Sequence, residues 1–485
     1  MGLLDLPTEI ILSIADELRS SLDVFYLSLA KKALFRVLLP AAYRFNTRHE
    51  GSFILHWAVC NGKLHLAQAL VEEFHADINI NDHKGRSPIF LAIRNGNKDI
   101  VEVLINKYNV ETNVHDNKDR STLWYAVFRG MRTAAEQLCQ AGDNINRPDW
   151  EGLTPLKLAI AKRDIAMVKF FLNHWGNVLH MPTCRVGAHP NFDQSSLGLA
   201  SEIGDGDIIR LLLKCGVHPN TRNEYGESPL HLAATHGHDI AIKILLNWTD
   251  IDPGVRDVYE CTPLHGAATQ GHLPAVKVLL SEPGIDINAK DSIGATPLWW
   301  ATQQRHYQVT RRLLAECDVD VNVVVEPYIG DRTTSLHHAV EHKDESLVHL
   351  LLEQKSISLN IPNHDGMTPL ARGAAEGSVN IVKLLLKQKH IHVNAVGQGN
   401  PTPLWLAAEN GHIEVVNKSL AHSKIDINET YISETALLAA ARKGHAKVVD
   451  LILQDSRVQP NRGDRDGRTA LWWAAYNGYT KWLGI

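Results

Sequence analysis

Ser228-Pro229-Leu230-His231-Leu232-Ala233 is the stretch on which the reading of this chain turns, because the chain keeps returning to it. Near-copies stand at Ser87-Pro88-Ile89-Phe90-Leu91-Ala92, Thr262-Pro263-Leu264-His265-Gly266-Ala267, Thr296-Pro297-Leu298-Trp299-Trp300-Ala301 and Thr402-Pro403-Leu404-Trp405-Leu406-Ala407. The central apolar residue falls at 55, 89, 123, 156, 197, 230, 264, 298, 336, 370, 404, 437 and 471, and ten of the twelve steps are 33 or 34 residues. A fixed period of that size describes a stack of small units, each burying its apolar face on the next.

Each part of the phrase has a physical task. Ser or Thr accepts a hydrogen bond from an N–H that the first helical turn leaves unpaired. Proline follows where its missing N–H costs nothing. Three residues after the central position, twelve of thirteen copies carry Ala, the exception being Gly373. A small side chain there admits the neighbouring helix. Seven residues after the central position ten copies carry Gly, which ends a short first helix in the left-handed region. An apolar second helix follows, as in Ile240-Ala241-Ile242-Lys243-Ile244-Leu245-Leu246, and then a polar turn with Asn, as in Asp286-Ile287-Asn288.

This phrase and period resemble the ankyrin repeat over residues 51–485. The resemblance implies an all-α repeat solenoid of about 13 units, each a helix-turn-helix with a β-hairpin. The step from 156 to 197 is 41 residues and that from 298 to 336 is 38. The three copies without the first-helix glycine carry Arg163, Arg305 and Lys343, all bordering these long steps. The reading therefore divides the chain into repeats 1–4 (51–175), an insertion (176–190), repeats 5–8 (191–322), a second insertion (323–333), and repeats 9–13 (334–485), the last truncated.

The totals are those of an ordinary globular chain. The 485 residues are 44% hydrophobic and 21% charged, and the formal net charge of -5 gives no general attraction to nucleic acid or membrane. Six cysteines (Cys60, Cys139, Cys184, Cys215, Cys261, Cys317) form no Cys-x-x-Cys pair, so no zinc knuckle or dithiol motif is offered and reduced thiols are expected. Asp5, Glu9, Asp16 and Glu17 interrupt what would have to be a signal sequence, and no run of 18 apolar residues occurs. A cytoplasmic or nuclear location is the expectation.

Residues 1–45 stand outside the repeat. Leu6-Pro7, Glu9, Ile10, Ile14 and Leu18 put an apolar stripe on a helix beginning near Pro7. This stretch resembles an F-box, whose opening reads L-P-x-E-[IL]-x-x-x-I-x-x-x-L. It lacks the tryptophan that many F-boxes carry in their third helix. The resemblance implies adaptor-binding residues Leu6, Pro7, Ile10, Ile14 and Leu18, a Skp-family adaptor, and a cullin reached through it. The alternative is that these helices only cap the apolar end of the stack.

Catalytic chemistry is not indicated. His338-Ala339-Val340-Glu341-His342 fits an inverted zinc-protease pattern but falls inside a first helix of about eight residues with no further ligand in view. No phosphate loop, nucleophile elbow or kinase signature occurs. The expectation is a non-enzyme with no metal and no cofactor.

The F-box and ankyrin resemblances together resemble the F-box/ankyrin proteins common in filamentous fungi, and imply a substrate receptor of a Skp–cullin–F-box ubiquitin ligase. The alternative function is a ligase-independent scaffold or inhibitor. By the ankyrin resemblance, target proteins would lie on a concave face lined by turn tips and first-helix ends. In repeats two and three those positions carry Lys84, Arg86, Arg94, Lys118, Arg120 and Arg129; elsewhere they carry Trp150, Tyr225, Tyr259 and Tyr431. The basic and aromatic side chains are expected to bind the partner, which would then carry an acidic segment beside an apolar one.

Overall fold

The computed structural model describes residues 53–82, 84–108, 110–174, 195–326, 332–394 and 400–478. The segment with Leu6, Pro7, Ile10, Ile14 and Leu18 lies outside the described residues, as does all of 176–190. Contacts divide the chain into two compact units, one ending at Glu224 and the other starting at Tyr225.

Each unit is an all-α solenoid of helix pairs. In the first unit the pairs begin with Phe53–Cys60, Pro88–Asn95, Thr122–Phe128, Pro155–Ala161 and Ser196–Ile203. In the second they begin with Pro229–Thr235, Pro263–Thr269, Pro297–Gln303, Ser335–Glu341, Pro369–Ala375, Pro403–Glu409 and Ala436–Lys443, and a further first helix spans Ala470–Tyr476. The caps anticipated from the repeated phrase are made. Ser87 accepts from the Phe90 N–H, Thr402 from the Trp405 N–H and Thr435 from the Leu438 N–H. Gly96 closes its helix at φ 80°. The alanines at the small position, Ala58 through Ala440, have no exposed surface. Fully burying one Leu or Ile of such a core contributes about 1.5–3 kcal/mol.

Arg163, Arg305 and Lys343 adopt the same left-handed backbone as the glycines they replace, at φ 55°, 61° and 52°. Each side chain also bonds onto the next repeat: Arg163 to the Ile203 carbonyl, Arg305 to the Asp344 carboxylate and Lys343 to the Glu376 carbonyl.

β-Hairpins are expected between repeats, but among the described residues only Thr430–Tyr431 and Glu434–Thr435 pair as short strands. Isolated bridges join His115 to Ser121 and Val325 to Thr333. Elsewhere an acidic side chain closes the tip. Asp82 Oδ1 accepts the backbone N–H groups of Lys84 and Arg86, and Asp116, Asp257, Asp291 and Asp464 repeat this arrangement. The carboxylate takes donors that a strand ladder would otherwise use.

The 38-residue step is partly core. Val323 and Val325 are buried against Ala295 and Trp299, and Val325 exchanges both backbone hydrogen bonds with Thr333.

Histidines tie repeat to repeat. At the first-helix position, His265 Nδ1 accepts the Thr262 N–H at 3.0 Å while its Nε2–H donates to the Ala295 carbonyl of the next repeat at 3.1 Å. His231 and His337 reach the Cys261 and Met367 carbonyls in the same way. A second set, His306, His412 and His445, donates back to Thr269, Ala375 and Glu409 of the preceding repeat.

Candidate protein-interaction surface

The basic and aromatic residues singled out from the sequence divide between the two units. Lys84, Arg86, Arg94, Lys118, Arg120, Arg129 and Trp150 lie on successive repeats of the first unit; Tyr225, Tyr259 and Tyr431 belong to the second.

Within the first unit the arginines do two different things. Arg86 is ion-paired with Asp82 at 2.6 Å and Arg120 with Asp116 at 2.6 Å. Burial alone would raise these carboxyls, but the arginine hydrogen bonds and the backbone N–H groups hold both below the usual carboxylate range. These two guanidinium groups therefore help close their own turns, and much of their charge is answered locally. Lys84 and Arg129 stay exposed, while Arg94 is half-buried and its carbonyl accepts from the Arg129 Nε–H at 2.7 Å.

Aromatic rings lie among these cations. Phe128, 43% exposed, stacks on Trp124 with ring centroids 5.2 Å apart. Its face is flanked by the Lys162 ammonium at 4.9 Å and the Arg129 guanidinium at 5.9 Å. One repeat on, Trp150 is 58% exposed, with the Lys118 ammonium 4.7 Å from its ring centroid. The Trp150 backbone N–H donates to the Lys118 carbonyl at 3.0 Å, so the two tips are tied while their side chains stay at the surface. A cation over a ring contributes about 0.5–1 kcal/mol at exposed sites. It also holds the ring as a flat, amphipathic platform of the kind that anchors interfaces.

Phe128 and Lys162 join this surface although the basic and aromatic turn tips do not point to them. They stand five and six residues after their central apolar positions, the same offsets that mark Arg94 and Arg129.

The aromatic tips of the second unit differ among themselves. Tyr225 and Tyr259 are exposed, and their carbonyls accept the Val258 and Ser292 N–H groups of the next tip. Tyr431 packs edge-on against Trp405 at 5.0 Å and is only half-exposed, so the fold itself uses this ring.

The histidine pair offers no metal geometry. His342 Nδ1 lies 2.9 Å from the His338 carbonyl of its own helix turn, and among the described residues no group of three or more His, Cys, Asp or Glu side chains is gathered for a metal. Burial pushes Cys139 and Cys261 up to about 12, and the five described cysteines are unbridged. No helix among the described residues is long and apolar enough to cross a membrane.

Comparison with known proteins agrees with the repeat geometry. The family profile described as "Ankyrin repeats (3 copies)" matches residues 27–116, 197–291, 298–397, 336–431 and 404–483, well over half of the chain. The B-cell lymphoma 3 protein homolog of Mus musculus is 31% identical over 101 residues, which cover 21% of this chain and 22% of that protein. The chain thus matches only about a fifth of that relative's length. The stacked helix pairs, the repeated capped phrase and the extent of the profile together show that this chain belongs to the ankyrin-repeat family, a protein-interaction fold.

Proposed function

We propose that this chain is a target-capturing protein whose first unit holds an acidic, partly apolar segment of another protein. The observation that carries the reading is the pair of cation-flanked rings, Phe128 between Arg129 and Lys162 and Trp150 under Lys118, on consecutive repeats of a chain whose net charge is -5. Local positive charge on an acidic protein favours an acidic partner and speeds its encounter. Replacing Trp150 with Ala is expected to weaken capture of cellular partners in proximity labelling by about tenfold or more without lowering thermal stability, whereas Phe128→Ala should weaken capture and also lose its stack on Trp124. An unchanged partner set would place binding elsewhere.

The fuller proposal makes residues 1–45 an F-box-like adaptor-binding segment, with Leu6, Pro7, Ile10, Ile14 and Leu18 on the Skp-family adaptor and the chain acting as a ligase receptor. Ubiquitin transfer would then occur on other subunits, and this chain would supply proximity. The alternative is a ligase-independent scaffold or inhibitor whose first helices only cap the stack, and one observation supports it: the ankyrin match already begins at residue 27, inside that segment. Purified Skp-family adaptor separates the two. The receptor reading expects binding that the Leu6→Ala/Pro7→Ala variant loses, and the scaffold reading expects none.

A further inference from the structure

An aromatic corner is built three times in this chain, and its comparison points to a second binding site. In each copy two aromatic residues follow the central apolar position: Trp124-Tyr125, Trp299-Trp300 and Trp472-Trp473. The two rings stand nearly perpendicular, at 72°, 89° and 86°, with centroids 5.2, 5.1 and 5.0 Å apart. In each the second ring donates a hydrogen bond to Oδ2 of the aspartate that closes its turn: Tyr125 to Asp116, Trp300 to Asp291 and Trp473 to Asp464.

Two of the corners hold a guanidinium of this chain. Arg120 lies 5.6 and 5.1 Å from the centroids of Trp124 and Tyr125 and bonds Asp116. Arg468 lies 5.4 and 4.9 Å from those of Trp472 and Trp473 and bonds Asp464. The corresponding position of the third copy is Ala295. There the corner opens into a cleft of about 370 Å³ whose walls include Ile293, both tryptophans, Glu341, Arg332 and Arg372. Trp299 and His338 are again edge-to-face, with centroids 4.9 Å apart, so a third ring closes the corner.

Both arginines in the cleft wall are answered by carboxylates of this chain. Arg332 is matched by Glu326, and Arg372 by both Glu341 and Glu376, while Asp291 faces only the Trp300 N–H and backbone N–H groups among the bonds described. Perpendicular aromatic faces with a carboxylate behind them attract a flat, delocalised cation more than a neutral or anionic group. We infer that the Trp299–Trp300 corner binds an arginine side chain of a partner protein, in the place that Arg120 and Arg468 take in the sister corners. This inference does not rest on the first-unit surface or on the ligase reading.

The test uses the full chain labelled with 5-fluorotryptophan, with the Trp300 resonance assigned by its loss in Trp300→Phe. Acetyl-Gly-Arg-Gly-amide is titrated beside its Lys, citrulline and Glu counterparts and beside free arginine. The Arg peptide is expected to shift the Trp300 resonance saturably, the Lys peptide about threefold or more weakly, and the citrulline and Glu peptides not at all. Ala295→Arg, which gives the corner its own guanidinium, is expected to abolish the response. Where that variant does not fold, Glu341→Gln should weaken the Trp300 response about threefold, and an unchanged response in it would overturn the proposal. The proposal is overturned if citrulline binds as well as arginine, if the Glu peptide binds more tightly, or if nothing saturates. It is equally overturned if free arginine matches the peptide, which would mark a small-molecule site, or if a response emerges only in Arg332→Ala, which would mean that Arg332 of this chain holds the seat.

Discussion

Gly237 follows the end of a first helix and Gly373 lies inside one, both in the second unit, and their surroundings ask opposite things of them. Gly237 has φ 75°, and a Cβ there would stand 2.6 Å from the His272 ring of the next repeat. Gly271, Gly377 and Gly411 meet His306, His412 and His445 in the same manner. Where the glycine is replaced by Arg163, Arg305 or Lys343, the next repeat carries Asp205, Asp344 or Ser378 instead of histidine. The glycine is thus required by its neighbour's ring as well as by its own backbone. Gly373 is helical, and a Cβ there would meet only Val340, Val382 and Ile381 side chains at 3.4–3.7 Å. Gly373→Ala is therefore expected to stabilise by about 0.5–1 kcal/mol, and Gly237→Ala to destabilise by about 2 kcal/mol or more. Urea denaturation followed by circular dichroism reads both; a neutral Gly237→Ala would contradict the packing of His272.

Between helices, the second unit is joined by a row of asparagines. Asn288, Asn322, Asn360, Asn394 and Asn428 each donate from Nδ2 to a carbonyl of the next turn and accept an N–H from two residues further on. Asn360, for example, spans the His390 carbonyl and the His392 N–H, both at 2.9 Å. One amide side chain satisfies both groups because it carries a donor and an acceptor side by side. Asn360→Ala leaves both to solvent and is expected to cost about 1–2 kcal/mol, with faster hydrogen exchange at His392. Asn360→Asp should cost more, since a carboxylate would face the His390 carbonyl. Unchanged exchange at His392 in both variants would show that the turn holds without the rung.

For the molecule as a whole, the buried histidines set a pH dependence. Burial pushes His337 down to about 4 and also lowers His265 and His272, and all three belong to the second unit. A histidine whose folded pKa lies below its unfolded value binds fewer protons when folded, so stability falls as pH falls. The contribution is present above the unfolded value of about 6.5 and is lost progressively down to about 4. His337 alone accounts for on the order of 3 kcal/mol over that window. The second unit is therefore expected to loosen first on acidification, seen as hydrogen exchange, corrected for intrinsic rate, rising there between pH 6.5 and 4. His337→Gln should flatten that rise, and a larger loss of protection in the first unit would reverse the assignment.

The repeat, its capped first helices, the buried alanine and the left-handed helix ends were legible in the sequence because each is local and returns at a fixed spacing. The same register places Lys118, Arg129 and Trp150 at the surface without any coordinates. Packing alone decided that Arg86 and Arg120 answer their own aspartates and that Tyr431 leans on Trp405. It also brought Lys162 to the face of Phe128, 34 residues away, and folded Val323 and Val325 of the long step into the core. The three aromatic corners show the division most clearly. Their residues can be aligned by counting, but only the ring angles and the arginines resting in two of them give meaning to the alanine at 295. Periodicity specifies which backbone a residue joins, whereas the partner of a charged or aromatic side chain depends on distances across repeats that the linear order does not contain.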